Sequence, residues 1–187
     1  MAEGLAIQAI RDRYPVTADL VPVSSAGVAA LDGNPAVPEA VAAMRRVGID
    51  ITGHRARRLT SPIVAGSDCV LAMEEGQRRA ITSLAPGVFE GRVFLLMKLG
   101  EAAERVLEGG TGTWPETGPE GALGCLSRAA AAFESGADWL REPQYYEVED
   151  PFGYPLEEFE RAARKMSSTI DPLLEALLGG KLPARGR

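Results

Sequence analysis

Asp68-Cys69-Val70-Leu71-Ala72-Met73, with Glu74-Glu75-Gly76-Gln77 following at once, is the stretch that decides the fold. Five apolar residues between acidic neighbours have the length of a strand and the unbroken apolar character of one covered on both faces. After a helix expected over 74–84, Arg92-Val93-Phe94-Leu95-Leu96 repeats the pattern. Two such runs joined by a helix make a parallel crossover unit, so the class is α/β, a small parallel sheet flanked by helices.

Outward from these strands, the N-terminal side begins with a helix over 1–13. Leu5, Ala6, Ala9 and Ile10 share a face there, and Tyr14-Pro15 closes it because a residue before proline avoids the helical region. A first strand is expected over 20–24, Leu20-Val21-Pro22-Val23-Ser24, with Pro22 pointing to an edge or strand-end position. A helix is expected over 38–47, with Pro38 in its first turn and Gly48 at a left-handed cap. C-terminal to the strands, 109–121 is rich in Gly, Pro and Thr, and 122–140 has a helical pattern. From Pro155 a closing helix carries Leu156, Phe159, Ala163, Met166 and Ile170 at helical spacing and stops at Gly179-Gly180. The organisation is one domain over 1–178, with an inserted helical segment at about 100–147 and a frayed tail at 179–187.

Composition narrows the function classes. The 187 residues, 45% of them apolar, can bury one continuous core, and a formal charge of -6 offers no general attraction to nucleic acid or an acidic membrane. No run approaches the ~20 apolar residues of a spanning helix, and no leader pattern opens the chain. Cys69 and Cys125 have no partners at metal-ligand spacing and there is one histidine, which argues against a structural zinc. The expected location is the cytoplasm, with both thiols reduced.

Asp150 in Glu149-Asp150-Pro151-Phe152-Gly153 is the sharpest chemical candidate. Proline fixes the backbone after the carboxylate, glycine permits a turn, and Glu147 and Glu149 are neighbours of the kind that raise a carboxyl pKa toward general-acid duty. The same residues also suit a plain turn aspartate. Gly53-His54-Arg55-Ala56-Arg57-Arg58 is a basic loop able to hold an anion or simply to be solvated. Ser25-Ala26-Gly27 stands where open α/β sheets put ligand loops, or it is an ordinary turn. Neither cysteine has surroundings that would activate a thiolate.

In order along the chain, Ser25-Ala26-Gly27, Pro38-Glu39-Ala40 with Gly48-Ile49-Asp50, Gly53-His54-Arg55-Ala56-Arg57, 68–73 and Asp150-Pro151-Phe152-Gly153 resemble the low-molecular-weight protein-tyrosine-phosphatase family. That family includes protein arginine phosphatases and thioredoxin-coupled arsenate reductases. The resemblance implies a three-layer α/β sandwich and hydrolysis of phosphotyrosine or phosphoarginine proteins through a cysteinyl phosphate, with no cofactor and no metal. It makes Asp150 the general acid, Phe152 a wall of the substrate pocket, and Ser25 a support for the phosphate loop. Asp-Pro-Phe-Gly also occurs in the arginine-phosphatase relatives, which tilts the substrate toward phosphoarginine.

Family members open with a strand and a C-x5-R-S-P-M-A-E loop that holds the nucleophile and the phosphate, and this chain starts at Met1-Ala2-Glu3, just past it. Six residues beyond Cys69 and Cys125 lie Glu75 and Ala131, so neither supplies the missing arginine. The family's opening strand and its loop are expected ahead of Met1, the start having been placed at the motif's internal methionine. A non-catalytic binding module is the alternative reading, and arsenate reduction ranks behind it because two cysteines do not furnish a resolving pair.

Overall fold

The computed structural model describes residues 1–84, 92–109 and 143–178. In chain order these form α1 (Ala2–Arg13), a 3-10 turn (Ala18–Leu20), α2 (Pro38–Arg46), α3 (Ser61–Ala65), β1 (Val70–Ala72), α4 (Glu75–Ser83), β2 (Val93–Leu95), α5 (Leu96–Gly109), a second 3-10 turn (Pro143–Tyr146) and α6 (Leu156–Leu178). The expected helix over 122–140, the tail at 179–187 and Cys125 lie outside the described residues.

β1 and β2 pair in parallel, Val70 opposite Val93 and Ala72 opposite Leu95, with α4 as the crossover. Strand periodicity then divides the apolar run between two cores. Val70, Ala72, Val93 and Leu95 turn to one face, against Val64 of α3, Ile81 of α4 and Tyr146. Cys69, Leu71, Met73 and Phe94 turn to the other, against α1, α2, α5 and α6. Because side chains alternate along a strand, only a sequence apolar at every position can fill both cores, and that is why 69–73 reads as one unbroken run. The result is helices, sheet and helices in three layers.

The larger core is built mainly by helices. Ile10 of α1, Met44 of α2, Leu99 of α5, and Phe159, Met166 and Ile170 of α6 are its buried centre. α5 and α6 approach each other closely where Gly100 faces Thr169. A Cβ on Gly100 would lie 2.2 Å from Thr169 Cγ2 and 3.2 Å from the Thr169 carbonyl, so the contact tolerates no side chain at 100. Residues 100–109, which the sequence assigns to the inserted segment, are thus part of a core helix; 110–142 lie outside the described residues.

Helix α2 ends as its sequence indicates. Gly48 has φ +79°, its amide donates to the Arg45 carbonyl and the Ile49 amide to that of Met44, the paired bonds of a Schellman cap.

One expectation is corrected. Residues 20–24 are not a strand: 18–20 form a 3-10 turn, and 21–24 run on without ladder bonds among the described residues. Val21 and Val23 still turn toward the core while Pro22 and Ser24 are exposed, so the period-2 signal is real. A strand also needs a neighbouring backbone to pair with, and Pro22 has no amide to offer one.

Candidate functional site

Two groups of the sequence-indicated residues are positioned by different parts of the fold. The first gathers at the N-terminal end of α1. Ser25 Oγ donates to Glu3 Oε2, the same carboxylate oxygen lies 3.8 Å from His54 Nδ1, and Arg57 Nε donates to the Ser25 carbonyl at 2.7 Å. Glu3 was not singled out by sequence reasoning. Its partners are 22 residues away or more, so no local spacing could reveal it.

The basic loop has a structural use that neither sequence reading anticipated. Gly27 and Pro35 form isolated bridges with Arg58 and Arg55, and the amides of Gly33 and Ala56 bond to the carbonyls of Ala56 and Asn34. Arg55 donates to the carbonyls of Thr52 and His54, and the Arg58 amide donates to Asp32 Oδ1. The guanidinium bonds that cross between the loops are those of Arg57 Nε to the Ser25 carbonyl and Arg58 Nε to the Ala30 carbonyl at 3.4 Å, while those of Arg55 stay within its own loop. Segment 52–58 thereby holds segment 25–35 in place, Ser25 included.

The second group is the loop carrying Asp150 and Phe152, docked at the C-terminal end of β1. The Val148 amide donates to the Met73 carbonyl at 2.9 Å, and Val148 itself is buried. Glu147 Oε1 accepts from the Glu75 amide at 2.9 Å, giving the start of α4 the acceptor its orphan N–H needs and setting a negative charge against the helix's positive end. Glu74 Oε1 in turn accepts from the Asp150 amide at 3.2 Å. The crevice outside the carboxyl ends of parallel strands is where open α/β sheets bind their ligands, and these three bonds hold Asp150 there.

Asp150 is exposed, and its Oδ1 accepts from the Phe152 amide at 3.0 Å. The turn is completed by the Tyr154 amide donating to the Pro151 carbonyl, with Gly153 at φ +84°, a conformation that disfavours any side chain. The turn role and a chemical role are therefore compatible: Oδ1 orders the loop, and Oδ2 has no partner among the described residues. Phe152, 70% exposed, and Tyr154, 63% exposed, line an open cleft of about 280 Å³ with Val37, Glu39, Gly153 and Phe159. Among the described residues no hydrogen bond or ion pair links Ser25 to Asp150 or Phe152.

Cys69 sits just before β1 with its side chain against the larger core. Burial, with the negative charge of Asp68 beside it, pushes its thiol up to about 12. It is a protonated core residue at neutral pH, as an apolar strand context demands.

A family model described as "Low molecular weight phosphotyrosine protein phosphatase" matches residues 1–108. The protein of Ralstonia nicotianae named "Probable low molecular weight protein-tyrosine-phosphatase EpsP" is 46% identical over 76 residues, 41% of this chain and 52% of that one. The chain spans about half the length of the curated relatives it matches. Among solved structures, the low molecular weight protein tyrosine phosphatase from T. tengcongensis superposes with a TM-score of 0.59 at 27% identity, over 93% of this chain and 87% of that one. The YwlE arginine phosphatase from Geobacillus stearothermophilus gives a TM-score of 0.59 over 100% of this chain and 91% of that one, and at 21% identity the likeness is one of fold.

Proposed function

The chain belongs to the low molecular weight phosphotyrosine protein phosphatase family, and on that premise we propose that it dephosphorylates phosphotyrosine or phosphoarginine proteins through a cysteinyl-phosphate intermediate. The observation that carries the proposal is the docking of the Asp150 loop at the C-terminal end of β1 by Val148, Glu147 and Glu74. That arrangement serves an acid that must stay fixed while a substrate enters beside it.

The chain's residues supply the acid side of the reaction. The nucleophile is assigned to a C-x5-R loop ahead of residue 1 that feeds into α1, where Ser25 and Glu3 stand to support it. The loop thiolate attacks phosphorus, the S–P bond forming as the bond to oxygen or nitrogen breaks, and Asp150 gives its proton to the departing atom. Asp150, now ionised, takes a proton from water as the water oxygen attacks the phosphocysteine, which releases phosphate and restores the thiolate. Phe152 offers its ring as a wall for the side chain being dephosphorylated. Neither step calls on a cofactor.

The partner is a phosphorylated protein, and Asp150-Pro151-Phe152-Gly153 favours phosphoarginine over phosphotyrosine. We place the protein in the cytoplasm: a thiolate nucleophile must stay reduced, and no helix among the described residues is long and apolar enough to cross a membrane. Residues 1–178 are taken as one domain in which the segment leading to the Asp150 loop is an insertion.

The test joins a strand and C-x5-R loop to Met1 and measures hydrolysis of p-nitrophenyl phosphate. Turnover that is abolished by serine at the loop cysteine supports the proposal. Turnover that survives that change, or that the 187 residues show alone, contradicts it.

A further inference from the structure

Lys165 lies on α6 and is half-buried. Its ammonium donates to the Glu147 carbonyl at 2.5 Å and to the Tyr145 carbonyl at 3.4 Å. The two acceptors belong to the segment that leads directly into Asp150. The same few residues are held from other directions: Tyr146 is buried in the smaller core with Lys98 of α5 5.5 Å from its ring centre, Glu147 caps α4, and the Val148 amide bonds to Met73. Of these ties, the one from Lys165 is the ammonium that reaches backbone carbonyls on both sides of Tyr146.

We propose that Lys165 is a positioning residue for the Asp150 loop, locking residues 145–147 to α6, the longest of the described helices, so that the carboxylate is held where a substrate's leaving atom would lie. The inference rests on the reading of Asp150 as the general acid. Lys165 touches no reacting atom. It acts by geometry, and general-acid transfer is steep in geometry: a displacement of 1 Å can cost on the order of 100-fold in rate. Three rotatable N–H donors on a flexible stem suit two carbonyls that converge on one point, whereas a planar guanidinium fits them less well.

The test has two arms. In the 187-residue chain, hydrogen exchange at the amides of Val148, Asp150 and Phe152 is followed in Lys165→Met and Lys165→Arg, with the amides of α1 and α5 as reference. Lys165→Met is expected to speed exchange in the loop by roughly 10-fold or more while the reference helices hold, and Lys165→Arg to recover part of the protection, because local opening is governed by local ties. Unchanged loop exchange, or equal acceleration everywhere, overturns the proposal. In the chain joined to a C-x5-R loop, Lys165→Met is expected to lower kcat/KM roughly 10-fold for phenyl phosphate, with kcat/KM for p-nitrophenyl phosphate little affected. If Asp150→Asn shows that leaving-group dependence and Lys165→Met does not, the positioning role falls and the acid role stands. If Lys165→Met frees the loop while Asp150→Asn changes no rate, the acid role falls, and with it the proposed purpose of the tie.

Discussion

Asp150→Asn, in the chain joined at Met1 to a C-x5-R loop, is expected to lower kcat/KM for phenyl phosphate by roughly 100-fold, the usual scale for a lost general acid. Asparagine keeps the shape of the side chain and the oxygen that accepts from the Phe152 amide, so the turn with its Gly153 survives. What is lost is the proton. A poor leaving group such as phenolate needs that proton as the bond to phosphorus breaks, whereas p-nitrophenolate leaves with little help. The loss in kcat/KM, which reports the phosphorylation step and not the later attack of water common to both substrates, should therefore shrink markedly on changing substrate, and the pair of values separates acid catalysis from architecture. An equal loss with both substrates would make Asp150 a turn residue whose contribution is to the loop alone.

Leu99→Ala is expected to cost about 3–5 kcal/mol of stability, the upper part of the range for a buried leucine. Leu99 is fully buried in α5, and the next residue is where α5 and α6 already touch, Gly100 against Thr169. Backbones in such contact have little room to close over a cavity, so most of the lost volume stays empty. Against a net stability of about 5–15 kcal/mol, a loss of this size is a large fraction of the whole. A denaturant melt of both proteins checks it, read as the shift in midpoint at unchanged slope. A shift equivalent to less than about 1 kcal/mol would mean that α5 is not part of the core.

The two central strands were legible because each fills two cores and so advertises itself as an uninterrupted apolar run. Helix α2 was legible at both ends, from Pro38 and Gly48, since backbone geometry at those positions is written in single residues. Residues 20–24 misled because alternation reports which side chains face inward and says nothing about a pairing neighbour. At the candidate site, Asp150 and Ser25 stand out from their local residues, and motif resemblance adds Phe152 and the role expected of each. Glu3, Glu74 and Lys165 do not stand out, since each works through a partner 18 to 76 residues distant. The arginines of 55–58 read as an anion site or a solvated loop because sequence shows their charge and hides the carbonyls they bind.

The central claim is that this fold presents Asp150 to a phosphocysteine. Its most direct test is the mass of the intact protein and its peptides after the joined chain carrying Asp150→Asn is mixed briefly with p-nitrophenyl phosphate and quenched in acid. That substrate phosphorylates the thiolate without much acid assistance, and the missing base then slows attack by water, so one phosphoryl group is expected to accumulate on the loop cysteine and to be absent when that cysteine is serine. Phosphate on any other residue, or no phosphoprotein while substrate is still turned over, would contradict it.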